Sequence, residues 1–220
     1  MTRPQSESSA KIELSDDNYI GQGCHRACYR HPLDDSLCVK IAFDQESQIK
    51  PLRREFAYYK RLEKRDIDWR CLSRHLGDVE TNKGVGAIYT LVTDDSGDVA
   101  KNLVHYLEND ERIEQYFDAL NHALKDLLQY LLAQKILPLT LYPRNLVMPL
   151  IHEVTKAGNE AKIVIVDDIG NNEFIPFSEW HDGLARKKII RKWQRFLTHL
   201  AKAKDNDNRP TLTKLLTEQL

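Results

Sequence analysis

The chain has 220 residues, 30% of them charged, and a formal net charge of −1. That length can bury a core without staples, and the charge balance gives no field that would favour nucleic acid or an anionic membrane. The N-terminal "MTRPQSESSAKIEL" lacks a signal-peptide pattern, and no apolar run approaches the ~18 residues of a membrane helix. A cytoplasmic protein with no membrane partner is expected.

Residues 1–10 are polar and expected to be disordered. "IELSDDNYIGQG" reads as a strand entering a glycine turn. "CHRACYRHP" reads as a second strand that turns at "PLDD", and "SLCVKIAF" as a short buried strand. "QESQIKPLRREFAYYKRLEKR" repeats Leu52, Phe56, Tyr59 and Leu62 at helical steps, which predicts one buried stripe. "GVGAIYTLVTDDSGDVA" is strand-like until the DDSGD tract breaks it.

Helix dominates from about Val104. "ERIEQYFDALNHALKDLLQYLLAQKI" carries Ile113, Phe117, Leu120, Leu124, Leu127, Leu128 and Leu131, which predict one long amphipathic helix. "ILPLTLYPRNLVMPLI" reads as a proline-punctuated turn and a strand, "AGNE" as a hairpin turn, and "AKIVIVDDIG" as a strand ending in acidic residues and a glycine. "FSEWHDGLARKKIIRKWQRFLTHLAK" predicts a last helix buried along Ile189, Trp193, Phe196, Leu197 and Leu200. The order implies an α+β chain of two lobes. These are a small β-rich N-lobe over 11–95 and a reduced, mainly helical C-lobe over 96–205, with a tail over 206–220.

Cys24, Cys28, Cys38 and Cys71 form no CxxC pair and are expected as free thiols. Cys24, His25, Cys28 and His31 suggest zinc. In an extended strand, however, Cys24 and Cys28 would stand ~13 Å apart, too far for one ion with bonds of ~2.0–2.3 Å. The cysteines read instead as small strand hydrophobes.

Five pieces of sequence carry candidate chemistry. Gly21 and Gly23 in "GQG" would let backbone N–H groups approach phosphate, although alone they read better as a bulge or tight bend. Lys40 in "LCVKI" can meet phosphates or lie as an edge or snorkelling lysine. Glu55 in "RREFAYY" sits near the edge of its helix stripe, placed either to hold a lysine or to make a weak surface pair. Asn145 in "YPRNLVM" can cap a turn or offer an oxygen to Mg²⁺. Asp167 and Asp168 end "IVIVDDIG", where acidic residues either ligate metal or break a strand.

Taken in order, these pieces resemble the protein-kinase-like superfamily. More closely they resemble the PhoP regulatory network YrbL family of small bacterial kinase-like proteins, over Tyr19 to Leu200. The resemblance implies ATP and Mg²⁺ bound in an interlobe cleft. "GQGCHR" resembles the nucleotide loop with Arg26 in place of its third glycine. Lys40 would meet the α- and β-phosphates with Glu55 holding it. "TLVTDD" would connect the lobes. Asn145 matches the metal-binding asparagine, and Asp168, or Asp167 one residue away, matches the Mg²⁺ ligand.

Two departures stand out. Thr140 falls where the catalytic aspartate belongs, with Pro138 in the place of its histidine. No A-P-E motif follows Gly170, which argues against an ordinary protein-substrate kinase. The resemblance therefore implies either weak or atypical phosphotransfer to an unknown acceptor or an inactive pseudokinase. The inactive form would be a regulatory module in a bacterial PhoP-linked stress or metal-response network. The basic residues Arg186, Lys187, Lys188, Arg191, Lys192 and Arg195 read as a solvated helix face, and nucleic acid is not expected as a partner.

Overall fold

The computed structural model describes residues 11–150, 161–170, 182–202 and 209–219. The expected disorder of 1–10, the "AGNE" turn and the first residues of "FSEWHDGL" lie outside them. The chain is mixed α+β and divides into two compact units. One comprises the residues up to Leu52 with Arg74–Leu91, and the other comprises Arg53–Ser73 with the residues from Val92 onward.

The first unit is built on a five-stranded antiparallel sheet. Its strands are β1 (Tyr19–Gln22), β2 (Arg26–His31), β3 (Asp34–Ala42), β4 (His75–Thr81) and β5 (Gly84–Thr90), in the order β1-β2-β3-β5-β4. Alternation along β3 sends Val39 and Ile41 to one face, where they pack with Leu14, Ile12, Tyr29, Val79 and Ile88. Lys40 and Cys38 take the other face. Gly86 of β5 pairs with Ile41 on the apolar face.

Strand β4 is absent from the sequence reading. Its sequence "HLGDVET" exposes Asp78 and Glu80 and carries a register shift between His75 and Gly77. Charges and bulges of this kind protect a sheet edge from further pairing, and they also hide the strand from a search for β-branched runs.

Helix α1 (Gln45–Lys64) follows β3. Its buried positions are Glu55, Tyr58, Tyr59 and Leu62, while Leu52 and Phe56 are half-buried. The stripe is thus rotated from the expected one, and the edge position Glu55 lies inside it.

The second unit continues with α2 (Leu103–Leu107), α3 (Asp110–Gln115) and α4 (Phe117–Gln134). The single long helix expected here is interrupted. Tyr116 leaves helical geometry at φ −113 and ψ 20, and the Asn109 side chain accepts from the Arg112 amide to start α3. Helix α4 buries Leu120, Leu124, Leu127 and Leu131 as expected, along with Ala119, Ala123 and Tyr130. A left-handed Lys135 (φ 51) ends it, its amide bonding back to Leu131.

Two short strands follow, β6 (Leu146–Val147) and β7 (Val164–Ile165), paired antiparallel. Helix α5 (Asp182–Lys202) buries Ala185, Ile189, Trp193, Phe196, Leu197 and Leu200. Helix α6 (Pro210–Thr217) is seated by Asp110, whose carboxylate accepts from Arg209 Nε at 3.1 Å and the Thr211 amide at 2.8 Å. Among the described residues no helix is long and apolar enough to cross a membrane.

All four cysteines are free thiols. Cys71 is fully buried, and burial pushes its thiol from 9.0 up to about 12. The unfolded thiol ionises near its ordinary value, so between these two values the unfolded state binds fewer protons than the folded one. Stability should therefore fall as pH rises from 9 towards 12, with Cys71 as one contributor. Thermal melts of Cys71→Ala should lose stability less steeply across this window. Parallel alkaline limbs in the two proteins would remove Cys71 from the account.

Candidate functional site

Within the second unit, three of the residues singled out by sequence meet on one carboxylate. Asp168 Oδ2 accepts from Thr140 Oγ1 at 2.9 Å and from Asn145 Nδ2 at 2.7 Å. The segments that carry them are tied by backbone. The Leu139 amide donates to the Asp168 carbonyl at 2.7 Å, the Gly170 amide to the Leu137 carbonyl at 3.1 Å, and the Val166 amide to the Asn145 carbonyl at 2.9 Å. Pro138 and Ile169 form an antiparallel bridge.

Local sequence explains each placement. Pro143 starts a single 3₁₀ turn over Pro143–Asn145, which delivers Asn145 to the start of β6. Asp168 sits in the left-handed region at φ 62, which Asp and Asn tolerate better than most residues. Gly170 follows at φ 153, a value that disfavours any side chain. The two aspartates differ in their partners. Asp168 faces Thr140 and Asn145, whereas Asp167 Oδ1 accepts from the Asp168 amide at 2.8 Å.

Helix α1 supports this loop. The Tyr58 hydroxyl, fully buried, accepts from the Leu137 amide at 2.7 Å. Periodicity alone did not single out Tyr58. Tyr58→Phe leaves that amide buried without a partner, which should cost about 1–3 kcal/mol. An unchanged denaturation midpoint would mean that water or another acceptor replaces the hydroxyl.

The remaining candidates are described unit by unit. In the sheet unit, Lys40 is 8% exposed and its ammonium lies 4.6 Å from the Tyr89 ring centroid. An edge lysine is therefore excluded, since β3 lies in the middle of the sheet. Gly21 lies on β1, and Gly23 closes a turn through its amide to the Arg26 carbonyl at 2.9 Å. A Cβ placed on either glycine would meet no atom within 4 Å, and neither has a left-handed φ. In the other unit, Glu55 is 9% exposed, which removes the surface-pair reading.

The solvated reading of the basic helix needs correction. Arg186, Lys187, Arg191 and Arg195 are exposed, but Lys188 is buried and Lys192 half-buried. The Lys192 ammonium donates to the Leu139 carbonyl, beside Thr140. Helical spacing placed these side chains next to the apolar stripe, and only the fold turns Lys192 toward the loop. Among the described residues, no group of three or more His, Cys, Asp or Glu side chains is placed to hold a metal.

Residues 12–201 match the family described as PhoP regulatory network protein YrbL. Relatives described as uncharacterized protein YrbL, from Escherichia coli (strain K12) and from Shigella flexneri, are each 34% identical over 208 residues. Each alignment covers 93% of this chain and 96% of the relative.

Proposed function

We propose, from the premise that this chain belongs to the YrbL family of PhoP regulatory network proteins, that it is a kinase-like protein that binds ATP with Mg²⁺. The observation that carries this reading is the convergence of Asn145 and Asp168 at 2.7 Å. A carboxylate and an amide oxygen are hard ligands of the kind Mg²⁺ takes, with water and phosphate oxygens completing the shell. Asn145 would then turn its amide so that the oxygen replaces the nitrogen. The donor set fits the ion, and Asp168 is taken as the ligand of the acidic pair because its carboxylate is the one that meets Asn145.

The sheet unit would form the small lobe of a kinase-like fold and the helical unit the large one. Lys40 would meet the α- and β-phosphates. Burial of Lys40 and of Glu55 supports roles other than surface solubility. Neither packing nor dihedral angle requires a glycine at 21 or 23, which supports a role in close approach to phosphate.

Thr140 favours a second reading. Its hydroxyl is spent on Asp168, and threonine cannot take a proton at neutral pH as a carboxylate does. Loss of a general base typically costs ~10²–10⁴ in rate. Binding with slow phosphotransfer, or binding alone in a pseudokinase with a regulatory role, follows from this position.

The test is a thermal-shift titration with ATP, with and without Mg²⁺. Stabilisation by mass action is expected only with both present, and no shift at millimolar nucleotide would remove the reading. Gly23→Ala should keep the melting temperature of the apo protein, because Ala fits the open space, while shrinking the nucleotide shift. Equal shifts would take Gly23 out of the phosphate loop. An ATP-turnover assay on the purified chain then separates slow transfer from pure binding.

A further inference from the structure

Helix α5 carries more positive charge to the loop than the nucleotide reading uses. Lys188, Arg191, Lys192 and Arg195 follow one another at helical steps and share a face. Lys188 is 8% exposed, and the Lys192 ammonium is held on the Leu139 carbonyl next to Thr140. Burial first, and then the charges of Arg195, Lys188 and Arg191, hold the Lys192 ammonium below its ordinary range, while Asp168 pulls the other way. Three cations thus repel Lys192 and one carboxylate attracts it. In a chain of net charge −1 this is a local concentration rather than a bulk property. Crowding and desolvating like charges is unfavourable, and a further anion at the exposed end of this face would offset it.

We propose that this face of α5 recognises an anionic small molecule, with Lys192 and Arg195 binding a phosphate or carboxylate group beside Thr140 and Asp168. The inference deepens the kinase-like reading and rests on it for one step only. There the ligand is the phosphoryl acceptor, a hydroxyl compound that already carries an anionic group. One P–O bond forms to its hydroxyl as the bond to ADP breaks, and the hydroxyl proton passes to water. Lys192 is a positioning residue in that step.

The test uses the full chain at low salt, without nucleotide, titrated with inorganic phosphate by calorimetry. Saturable binding is expected. The double variant Lys192→Gln/Arg195→Gln should weaken it at least ~10-fold, as for lost charge-assisted hydrogen bonds. Lys202→Gln, an exposed charge at the end of the same helix, should leave it within about twofold. If the double variant unfolds, Lys192→Arg keeps the charge and should retain saturable binding.

Absent phosphate binding, or equal affinity in wild type and a folded double variant, overturns the proposal. So does a 20-base-pair DNA duplex that displaces phosphate and binds with a steep salt dependence, since the face would then serve nucleic acid. Phosphate binding without any ATP–Mg²⁺ response removes the nucleotide reading and leaves the anion site. The converse result removes the anion site alone.

Discussion

Asp168→Asn should abolish the magnesium-dependent part of nucleotide binding while leaving the chain folded. Asparagine is the substitution that isolates the charge. It tolerates the left-handed backbone found at this position, and its side-chain oxygen can still accept from Thr140 or Asn145. The fold loses only the difference between charge-assisted and neutral hydrogen bonds, about 1–2 kcal/mol. On the proposed reading, the Mg²⁺ site would lose the one anionic ligand of the Asn145–Asp168 pair. Removing an outer-shell partner typically costs 10–100-fold in metal affinity, so losing a direct carboxylate should cost at least ~100-fold. Calorimetry at fixed ATP with varied MgCl₂ measures this. Matching Mg²⁺ dependence in variant and wild type would dismiss Asp168 as the ligand. Asp167→Asn is the companion experiment, and its Mg²⁺ dependence should stay close to wild type.

Gly86→Val should be among the most damaging single changes in the sheet unit. A Cβ at Gly86 would stand 2.6 Å from Ile41 Cδ1, 2.7 Å from Val39 Cγ1 and 3.3 Å from the Lys40 carbonyl oxygen. Ile41 and Val39 are themselves 6% and 0% exposed, so neither side chain has room to retreat. Overpacking of this kind typically costs 1–3 kcal/mol, and a branched side chain should reach about 3. That corresponds to a melting temperature lower by roughly 6–12 °C for a chain of this size. On the proposed nucleotide reading, the damage would also reach function through Lys40, which lies between Val39 and Ile41 on β3. A wild-type melt would show that β3 and β5 separate easily and that the apolar face is loosely packed.

The legible parts of the sequence were those with strong local signals. Apolar alternation around Lys40 placed it on a buried strand, and the leucine ladder of α4 was read nearly residue for residue. The placement of Asn145 and Asp168 at turns was legible because proline, glycine and acidic residues punctuate the sequence there. Other features depend on tertiary context. Tyr116 breaks a helix that propensity alone would continue. Strand β4 is a charged edge whose partner β5 defines it. Glu55 entered the buried face because α1 is turned by Tyr58 and Tyr59, and Lys192 looked like any solvated lysine until α5 was packed. A stripe of three- and four-residue steps fixes a face only to within one neighbouring position, and Glu55 and Lys192 each fell in that margin.

The seating of α6 on Asp110 sets an order on biosynthesis. The Thr211 amide and the carboxylate that receives it are 101 residues apart in the chain. All residues of the sheet unit have been made once Leu91 is added, whereas α3 waits for that distant segment before its acidic terminus is satisfied. A nascent chain can therefore complete its sheet first, while the loop bearing Asp168 belongs to the unit that finishes last. On the ribosome, the part that holds Lys40 precedes the part that holds Asp168.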